Sequence, residues 1–193
     1  AGNSDGPEDV VLASALLSEL PKGVVQRHSP ALRIAHWIVV ALVFVTWPLG
    51  LMIGFVKDQV KLDFYMVHES IGFLVLWFML LRLGIRLSGG AVEVDAPRAE
   101  KLAASTVHGL LYAFLIIMPV SGFLATNAHG FPLQWFWLIP IWSPIGKSPE
   151  IAPILSSIHF WSAWTLLALV ALHIAAALFH HIIRRDATLY RIL

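Results

Sequence analysis

The sequence predicts an all-α membrane protein built as a bundle of four transmembrane helices. Of its 193 residues, 58% are hydrophobic and only 13% are charged, and the mean hydropathy is +0.77. Soluble domains carry about a quarter charged residues, so the composition excludes an ordinary soluble domain. Four apolar runs are each long enough to cross a bilayer, which takes roughly 20 residues.

The four predicted spans follow one another with one long interruption. Span one covers about 31–55 and span two about 64–87. Span three begins near Leu102 and ends before Asn127, and span four covers about 151–183. Three tryptophans and three prolines lie between spans three and four, and a fourth proline, Pro153, lies in the first turn of span four. Because proline breaks helices and tryptophan favours the headgroup level, this segment is predicted to be a loop and not a fifth span.

Residues 1–28 are predicted to form an extension, and 29–193 the four-helix domain. Within the extension, apolar residues recur at helical spacing from Val10 to Leu20, and Pro21-Lys22-Gly23 ends the pattern. This stretch is too short to span a membrane. It is therefore predicted to be a short amphipathic helix on the membrane or against the bundle, and the alternative is a docking segment for another subunit.

Positive charge is concentrated on one side of the predicted bundle. Both termini share a side with the loop between spans two and three. Of the 13 Lys and Arg residues, only Lys57, Lys61 and Lys147 lie on the other side, which leaves ten on this one. Because cytoplasmic segments carry the excess of Lys and Arg, both termini are predicted to be cytoplasmic.

Span four carries histidines at a regular spacing and has no Asp, Glu, Lys or Arg between Glu150 and Arg184. His159 and His173 are 14 positions apart, which is roughly 21 Å along a helix and nearly the same face. His180 follows seven positions later on that face. Imidazoles in lipid are costly and mark functional sites. The spacing favours two stacked cofactors over one metal ion.

The other spans supply histidines at matching depths. His68 enters from the outer side at the level of His159, and His36 enters from the cytoplasmic side at the level of His173. Four-helix bundles commonly hold cofactors between such facing side chains. The chain has no cysteine, which excludes thiolate ligands and thioether attachment of haem. Two non-covalent b haems, each with two histidine ligands to iron, are therefore predicted.

The remaining histidines keep more than one interpretation. His108 in span three competes with His36 as a ligand, bonds a haem propionate, or lines a quinone pocket. His180 and His181 mark a helix end, where imidazolium favours the helix dipole, but His180 is also placed to exchange a proton with a quinol. His129 is predicted to be a loop histidine.

Three charged residues in span two also have two interpretations each. Arg82 and Arg86 are positive-inside anchors, partners of a haem propionate, or both. Glu69 is either a solvated helix terminus or a proton relay beside the outer haem. Small residues allow a porphyrin edge or a neighbouring helix to approach, and the candidates are Gly50, Gly72 and Gly122.

Four histidine-bearing stretches carry a family resemblance that covers about residues 29–193. They are Arg33-Ile34-Ala35-His36-Trp37; His68-Glu69-Ser70-Ile71-Gly72 with Arg82 and Arg86; His108-Gly109-Leu110-Leu111-Tyr112 with Pro119 and Gly122; and His159-Phe160-Trp161 with His173, His180-His181 and Arg185-Asp186-Ala187-Thr188-Leu189. The chain resembles the bacterial cytochrome b561 family, in the superfamily that includes the cytochrome b subunits of nickel–iron hydrogenases and formate dehydrogenases. The last stretch is the most specific.

The resemblance implies a set of site residues. The family's four haem ligands carry over to His36, His68, His159 and His173. It also implies quinone at the cytoplasmic end, where His180 matches a position associated with quinone in some members. A basic residue between spans two and three is implied to assist, and the candidates are Arg98 and Lys101. The extension and the long third loop depart from compact members.

Two functions of different classes follow. The first is a dihaem cytochrome of the bacterial inner membrane that moves electrons between ubiquinone or menaquinone at the cytoplasmic end and a donor or acceptor at the outer face. A superoxide oxidase type of quinone reductase is its enzymatic form, because one family member turns superoxide into oxygen while reducing quinone. The second is a haem-bearing anchor or accessory subunit of a respiratory or photosynthetic complex, with the extension and residues 127–156 as contact surfaces. A haem-free transporter is the remote third option. Membrane lipid is an expected partner, and nucleic acid is not.

Overall fold

The computed structural model describes residues 26–92 and 96–193. The amphipathic helix predicted between residues 10 and 20 lies outside these residues. The described chain contains helices α1 (Pro30–Met52), α2 (Asp58–Ile85), α3 (Arg98–His129) and α4 (Ala152–Leu178). A π-helical turn extends α2 over Arg86–Gly90, another extends α4 over Phe179–Arg184, and a 3₁₀ turn covers Leu189–Arg191.

Among the described residues, four helices are long and apolar enough to cross a membrane, which confirms the predicted spans. The predicted and observed boundaries differ most at α2, which begins at Asp58, six residues before the predicted start. The first turn of α2 is polar and carries no hydropathy signal. It is nevertheless helical, because Asp58 favours the positive end of the helix dipole and pairs with Lys61 at 3.1 Å.

Local signals explain two of the helix ends. At the start of α1, the Leu32 N–H donates to the Ser29 hydroxyl at 3.3 Å, and Pro30 occupies the first turn. At the end of α3, Gly130 adopts a left-handed conformation (φ 95°) that an L side chain disfavours. The Gly130 and Phe131 N–H groups then donate at 2.9 Å to carbonyls of the last helical turn, a Schellman-type end.

The helices pack in sequence order, α1 on α2, α2 on α3 and α3 on α4. The buried apolar core contains Leu166, which is seven residues from both His159 and His173, so this core fills the level between the two histidines of α4. The remaining buried members of the cluster are Val39, Val75, Met79, Leu111, Leu115 and Met118. At the end of the bundle that carries the C-terminus, Arg184 donates to Glu100 at 2.6 Å and joins the end of α4 to the first turn of α3.

The loop between α3 and α4 forms a short hairpin that packs on the N-terminal half of α2. Strand β1 (Gln134–Trp135) pairs antiparallel with β2 (Ile139–Pro140). The buried Ser70 of α2 holds the hairpin: its hydroxyl accepts the Phe136 N–H at 2.8 Å, and its carbonyl accepts Trp135 Nε1–H at 3.3 Å. The predicted loop is therefore an ordered cap.

Replacing Ser70 with alanine should loosen this hairpin. The Phe136 N–H would lose its acceptor, which costs about 1–3 kcal/mol for a buried donor. We expect faster amide hydrogen exchange across residues 131–141 in the purified protein. Ser105→Ala is the matched control, since the Ser105 hydroxyl is exposed and donates only within its own helix. Equal exchange in both variants would contradict the assigned role of Ser70.

Candidate functional site

The structure brings four of the predicted histidines together in two pairs at different depths. The rings of His68 on α2 and His159 on α4 have centroids 6.0 Å apart, with an interplanar angle of 89°. The rings of His36 on α1 and His173 on α4 have centroids 6.4 Å apart, at 64°. We call these the outer pair and the inner pair.

Both ring separations fit two axial ligands on one metal centre. An imidazole nitrogen binds a first-row metal at roughly 2 Å, so two such rings on opposite sides have centroids roughly 6 Å apart. Within the described residues, no group of three or more His, Cys, Asp or Glu side chains is arranged to hold a lone metal ion. The donor sets are thus pairs of imidazoles, which suit haem iron.

The outer imidazoles are held by backbone carbonyls. His68 Nδ1 lies 2.9 Å from the Thr46 carbonyl oxygen, and His159 Nδ1 lies 2.7 Å from that of Met118. A carbonyl can only accept, so each Nδ1 carries the proton and each Nε2 keeps its lone pair. Metal-binding histidines commonly use their second nitrogen in this way, which fixes the tautomer and the ring orientation.

Each of these carbonyls is followed four residues later by a glycine. Gly50 comes one turn after Thr46 on α1, and Gly122 one turn after Met118 on α3. A Cβ at Gly50 would lie 2.7 Å from His68 Cε1, and one at Gly122 would lie 2.7 Å from His159 Cε1 and Nδ1. Only glycine allows the imidazoles to sit this close to the helices.

The third predicted small residue has a different environment. A Cβ at Gly72 would meet only Thr46 Cγ2, at an ordinary contact distance of 4.0 Å. Gly72 instead lines the cavity described next. Of the three predicted small residues, only Gly50 and Gly122 therefore allow an imidazole to approach the helix backbone closely.

The outer pair opens into a largely apolar cavity of about 480 Å³, within the usual size range of cofactor and ligand sites. All four helices line it, and so does the buried Leu133 from the segment just before β1. Glu69 also lines it. His129, predicted to be a loop histidine, is instead the last residue of α3, lines this cavity and contacts the Ser156 hydroxyl at 3.0 Å.

The inner pair has a third histidine beside it. The His108 ring of α3 lies with its centroid 5.4 Å from that of His173, closer than the His36 ring at 6.4 Å. The structure therefore keeps His108 next to the inner pair.

Arginines surround Tyr112 at this inner level. Arg82 Nη1 donates to the Tyr112 hydroxyl at 2.6 Å, and the Arg82 and Arg86 guanidinium carbons lie 5.0 and 5.7 Å from the ring centroid. Within the described residues, the buried Nε atoms of Arg33, Arg82 and Arg191 have no hydrogen-bond partner. A buried donor without a partner is costly, and guanidinium is well suited to carboxylate, so these donors fit the propionates of a haem.

The basic character of this end also affects His28, just before α1. Burial lowers the pKa of His28, and the positive charges of Arg86, Arg191 and Arg82 lower it further. The neutral ring accepts the Val92 N–H at Nδ1, at 3.0 Å. A neutral histidine among several arginines indicates a local field that favours a bound anion.

His180 lies seven residues beyond His173, in the π-helical turn after α4. Its Nδ1 lies 2.6 Å from Asp186 Oδ2. The two basic candidates between spans two and three belong to the first turn of α3, where Arg98 is the first helical residue and Lys101 follows one turn later. His180, the arginines near the inner pair and the basic first turn of α3 therefore lie at the same end of the bundle.

A family model that is described as prokaryotic cytochrome b561 matches residues 27–193. The chain belongs to the prokaryotic cytochrome b561 family. It is thus a b-type cytochrome with electron transfer as its general role, and the family identity supports binding of b-type haem. The family predicted from the histidine-bearing stretches is confirmed.

Curated relatives support this membership along most of the chain. Cytochrome b561 homolog 2 of Escherichia coli (strain K12) is 30% identical over 169 residues, covering 82% of this chain and 86% of the relative. The probable superoxide oxidase CybB of Yersinia pestis is 28% identical, covering 82% and 90%. Cytochrome b562 of Cereibacter sphaeroides is 25% identical, covering 82% and 89%.

Sequence reasoning missed several contributors to the site in this cytochrome b561. The Thr46 and Met118 carbonyls were not predicted as partners, and the only signal for them is the glycine four residues later. Arg191 was considered only as a positive charge, and Arg33 only as a positive charge and as part of a family stretch. Asp186 was noted only as part of a family stretch, although it is the hydrogen-bond partner of His180.

Placing a methyl group against an outer imidazole should impair haem binding. Gly122→Ala would force His159 away from the Met118 carbonyl, and Gly50→Ala would do the same to His68. We expect each variant to lose up to one haem b per chain, measured by pyridine haemochrome against protein. Gly109→Ala is the control, because its Cβ would meet nothing within 4 Å. Full haem content in Gly122→Ala would overturn this role of glycine.

Proposed function

We propose that this cytochrome b561 carries electrons across the bacterial inner membrane through two b haems. The proposal places quinone at the cytoplasmic end and a donor or acceptor at the outer face. The observation that carries it is the presence of two imidazole pairs at two levels of one helix. The outer pair uses His159 and the inner pair His173, roughly 21 Å apart along α4.

Under this proposal, His68 and His159 hold the outer haem, and His36 and His173 hold the inner one. The buried guanidinium groups of Arg33, Arg82 and Arg191 then balance propionate charge at the inner level. Iron with two histidine ligands supplies one-electron transfer without an open coordination site. The apolar core around Leu166 separates the two levels and keeps water out.

The proposed orientation places both termini in the cytoplasm, because positive charge is concentrated at their end. The proposed domain organisation keeps residues 1–28 as an extension before a four-helix domain at 29–193, and the family match beginning at residue 27 supports that boundary. The ordered outer hairpin and the basic inner end make the two ends chemically different, in line with different partners on the two sides.

The haem content tests the central proposal. We expect two haems b per purified chain by pyridine haemochrome. His68→Ala or His159→Ala should remove the outer haem and leave the inner one, and His36→Ala or His173→Ala should do the reverse. The two haems are distinguished by their redox spectra.

Two outcomes would contradict this assignment. One haem or none in the wild-type chain would refute the two-haem proposal. If His108→Ala abolishes the inner haem while His36→Ala does not, His108 is the inner partner of His173. The 5.4 Å separation of the His108 and His173 rings makes this the necessary control.

An enzymatic form of the same function is a quinone reductase that oxidises superoxide to oxygen at the outer end. One relative, the probable superoxide oxidase of Yersinia pestis, supports including it. In that reaction two superoxide anions each lose one electron, and one quinone gains two electrons and two protons. Quinone-dependent loss of superoxide, absent from haem-free protein, would support it.

A second candidate function is that of a haem-bearing accessory subunit in a larger membrane complex. The hairpin segment supports it, because its large apolar side chains face outward: Leu138 is 76% exposed and Trp142 is 82% exposed. Exposed apolar patches of this kind mark contacts with other proteins or with the membrane interface. The extension 1–28 would make a second contact from the cytoplasmic side.

Isolation of the chain separates the two candidates. A self-sufficient quinone-linked cytochrome should be reduced by a soluble quinol analogue, and His180→Gln should slow this roughly 100-fold while leaving both haem spectra intact. For an accessory subunit, removing residues 1–28 or shortening the hairpin should release it from a native complex with its haems retained. A fully haem-loaded chain that is inert toward quinols would count against the self-sufficient form.

A further inference from the structure

The turn after α4 contains a closed hydrogen-bonded unit that the haem pairs do not use. His180 Nδ1 lies 2.6 Å from Asp186 Oδ2, and the Thr188 N–H donates to Asp186 Oδ1 at 2.9 Å. The Asp186 N–H in turn donates to the His180 carbonyl at 3.2 Å. Arg185, in a left-handed conformation (φ 53°), turns the chain so that Asp186 comes back to His180.

The hydrogen bond defines the protonation of the imidazole. Burial alone would raise the pKa of Asp186, but the hydrogen bonds from His180 and Thr188 outweigh it and hold that pKa at about 2. The carboxylate is therefore ionised at neutral pH and can only accept. His180 Nδ1 must carry the proton, which leaves Nε2 as the nitrogen that gains and loses one.

The position of the unit suits a proton-exchanging role. His180 is seven residues beyond His173, so it lies past the inner pair on nearly the same face of the helix. The side chains of His180 and Asp186 are 27% and 37% exposed. His180 lies in the last turn of the candidate span, which ends at Arg184, and Asp186 lies just beyond that end. Interconversion of quinone and quinol exchanges two electrons and two protons. The haems would supply or accept the electrons when bound, and the protons need a route to water.

We infer that Asp186 is a positioning residue for quinone chemistry: it holds His180 with Nδ1 protonated, so that Nε2 exchanges protons with the quinone oxygens. This rests on the proposed quinone site at the cytoplasmic end. His180 Nε2 gives a proton to a quinone oxygen, or takes one from a quinol hydroxyl, and returns to its starting state by exchange with water. Asp186 stays ionised throughout and touches neither quinone nor haem.

The ordinary alternative is that Asp186 only closes the end of α4. A double-mutant cycle separates the two roles, because a positioning residue acts through its partner alone. We expect Asp186→Ala to slow haem reduction by a soluble quinol analogue roughly 10- to 100-fold, as is typical for removing a group that orients a functional histidine. Asp186→Ala combined with His180→Gln should be no slower than His180→Gln alone.

Two variants and a spectroscopic readout sharpen the test. Asp186→Asn keeps an oxygen that can accept the Nδ1 proton, so it should retain more activity than Asp186→Ala. Glu100→Gln removes another carboxylate with a cation partner at 2.6 Å at the same end, and it should match wild type. In ¹⁵N-histidine NMR spectra, His180 should show the Nδ1–H tautomer in wild type and lose this preference in Asp186→Ala.

The outcomes distinguish this inference from the proposed function. Wild-type protein that is not reduced by quinol, although dithionite reduces its haems, overturns both. Quinol reduction with equal slowing by Asp186→Ala in both backgrounds assigns Asp186 a structural role, and the quinone function stands. Wild-type rates in Asp186→Ala, or an unchanged His180 tautomer in that variant, also overturn the inference alone.

Discussion

The need to satisfy buried imidazoles is the constraint on which the rest of this bundle depends. In an apolar interior, each ring nitrogen needs a partner or a ligand, because an unpaired polar group costs several kcal/mol there. His68 and His159 meet this need by donating to the Thr46 and Met118 carbonyls, which leaves the opposite nitrogen of each ring available to a metal such as the proposed haem iron. Under the proposed function, the contacts that would orient the haem ligands are therefore the same contacts that join the helices.

The close contact of ring and helix determines which residues pack where. An imidazole that reaches a carbonyl on the neighbouring helix must lie against the next turn, and only glycine at that turn leaves space, as at Gly50 and Gly122. The requirement for glycine beside an imidazole does not apply between the two histidine levels. Branched and long apolar side chains fill that space around the buried Leu166. The bundle therefore alternates between layers specified by histidines and a layer specified by packing.

The number of helices, the family and the proximity of the histidine pairs could be predicted, because they follow from apolar length, local stretches and the spacing of His159 and His173. The carbonyl partners of the imidazoles could not be predicted, because every helical residue has a carbonyl. Only the way in which two helices cross determines that His159 meets the carbonyl of Met118. The start of α2 at Asp58 was not predicted, because a hydropathy pattern does not detect a polar helical turn. The Asp186 contact depends on the left-handed backbone at Arg185, which no periodicity reveals.

The two ends of the bundle differ in their chemistry: one is largely apolar and the other carries positive charge. At the end of the outer pair, the hairpin is tied to Ser70, and Leu133 just before it lines a largely apolar cavity. At the other end, buried arginine Nε atoms that have no partner among the described residues combine positive charge with the partly exposed His180. Quinone reactions require protons and haem propionates require cations. Both requirements are met at one end, so the asymmetry of the fold itself favours placing quinone chemistry there.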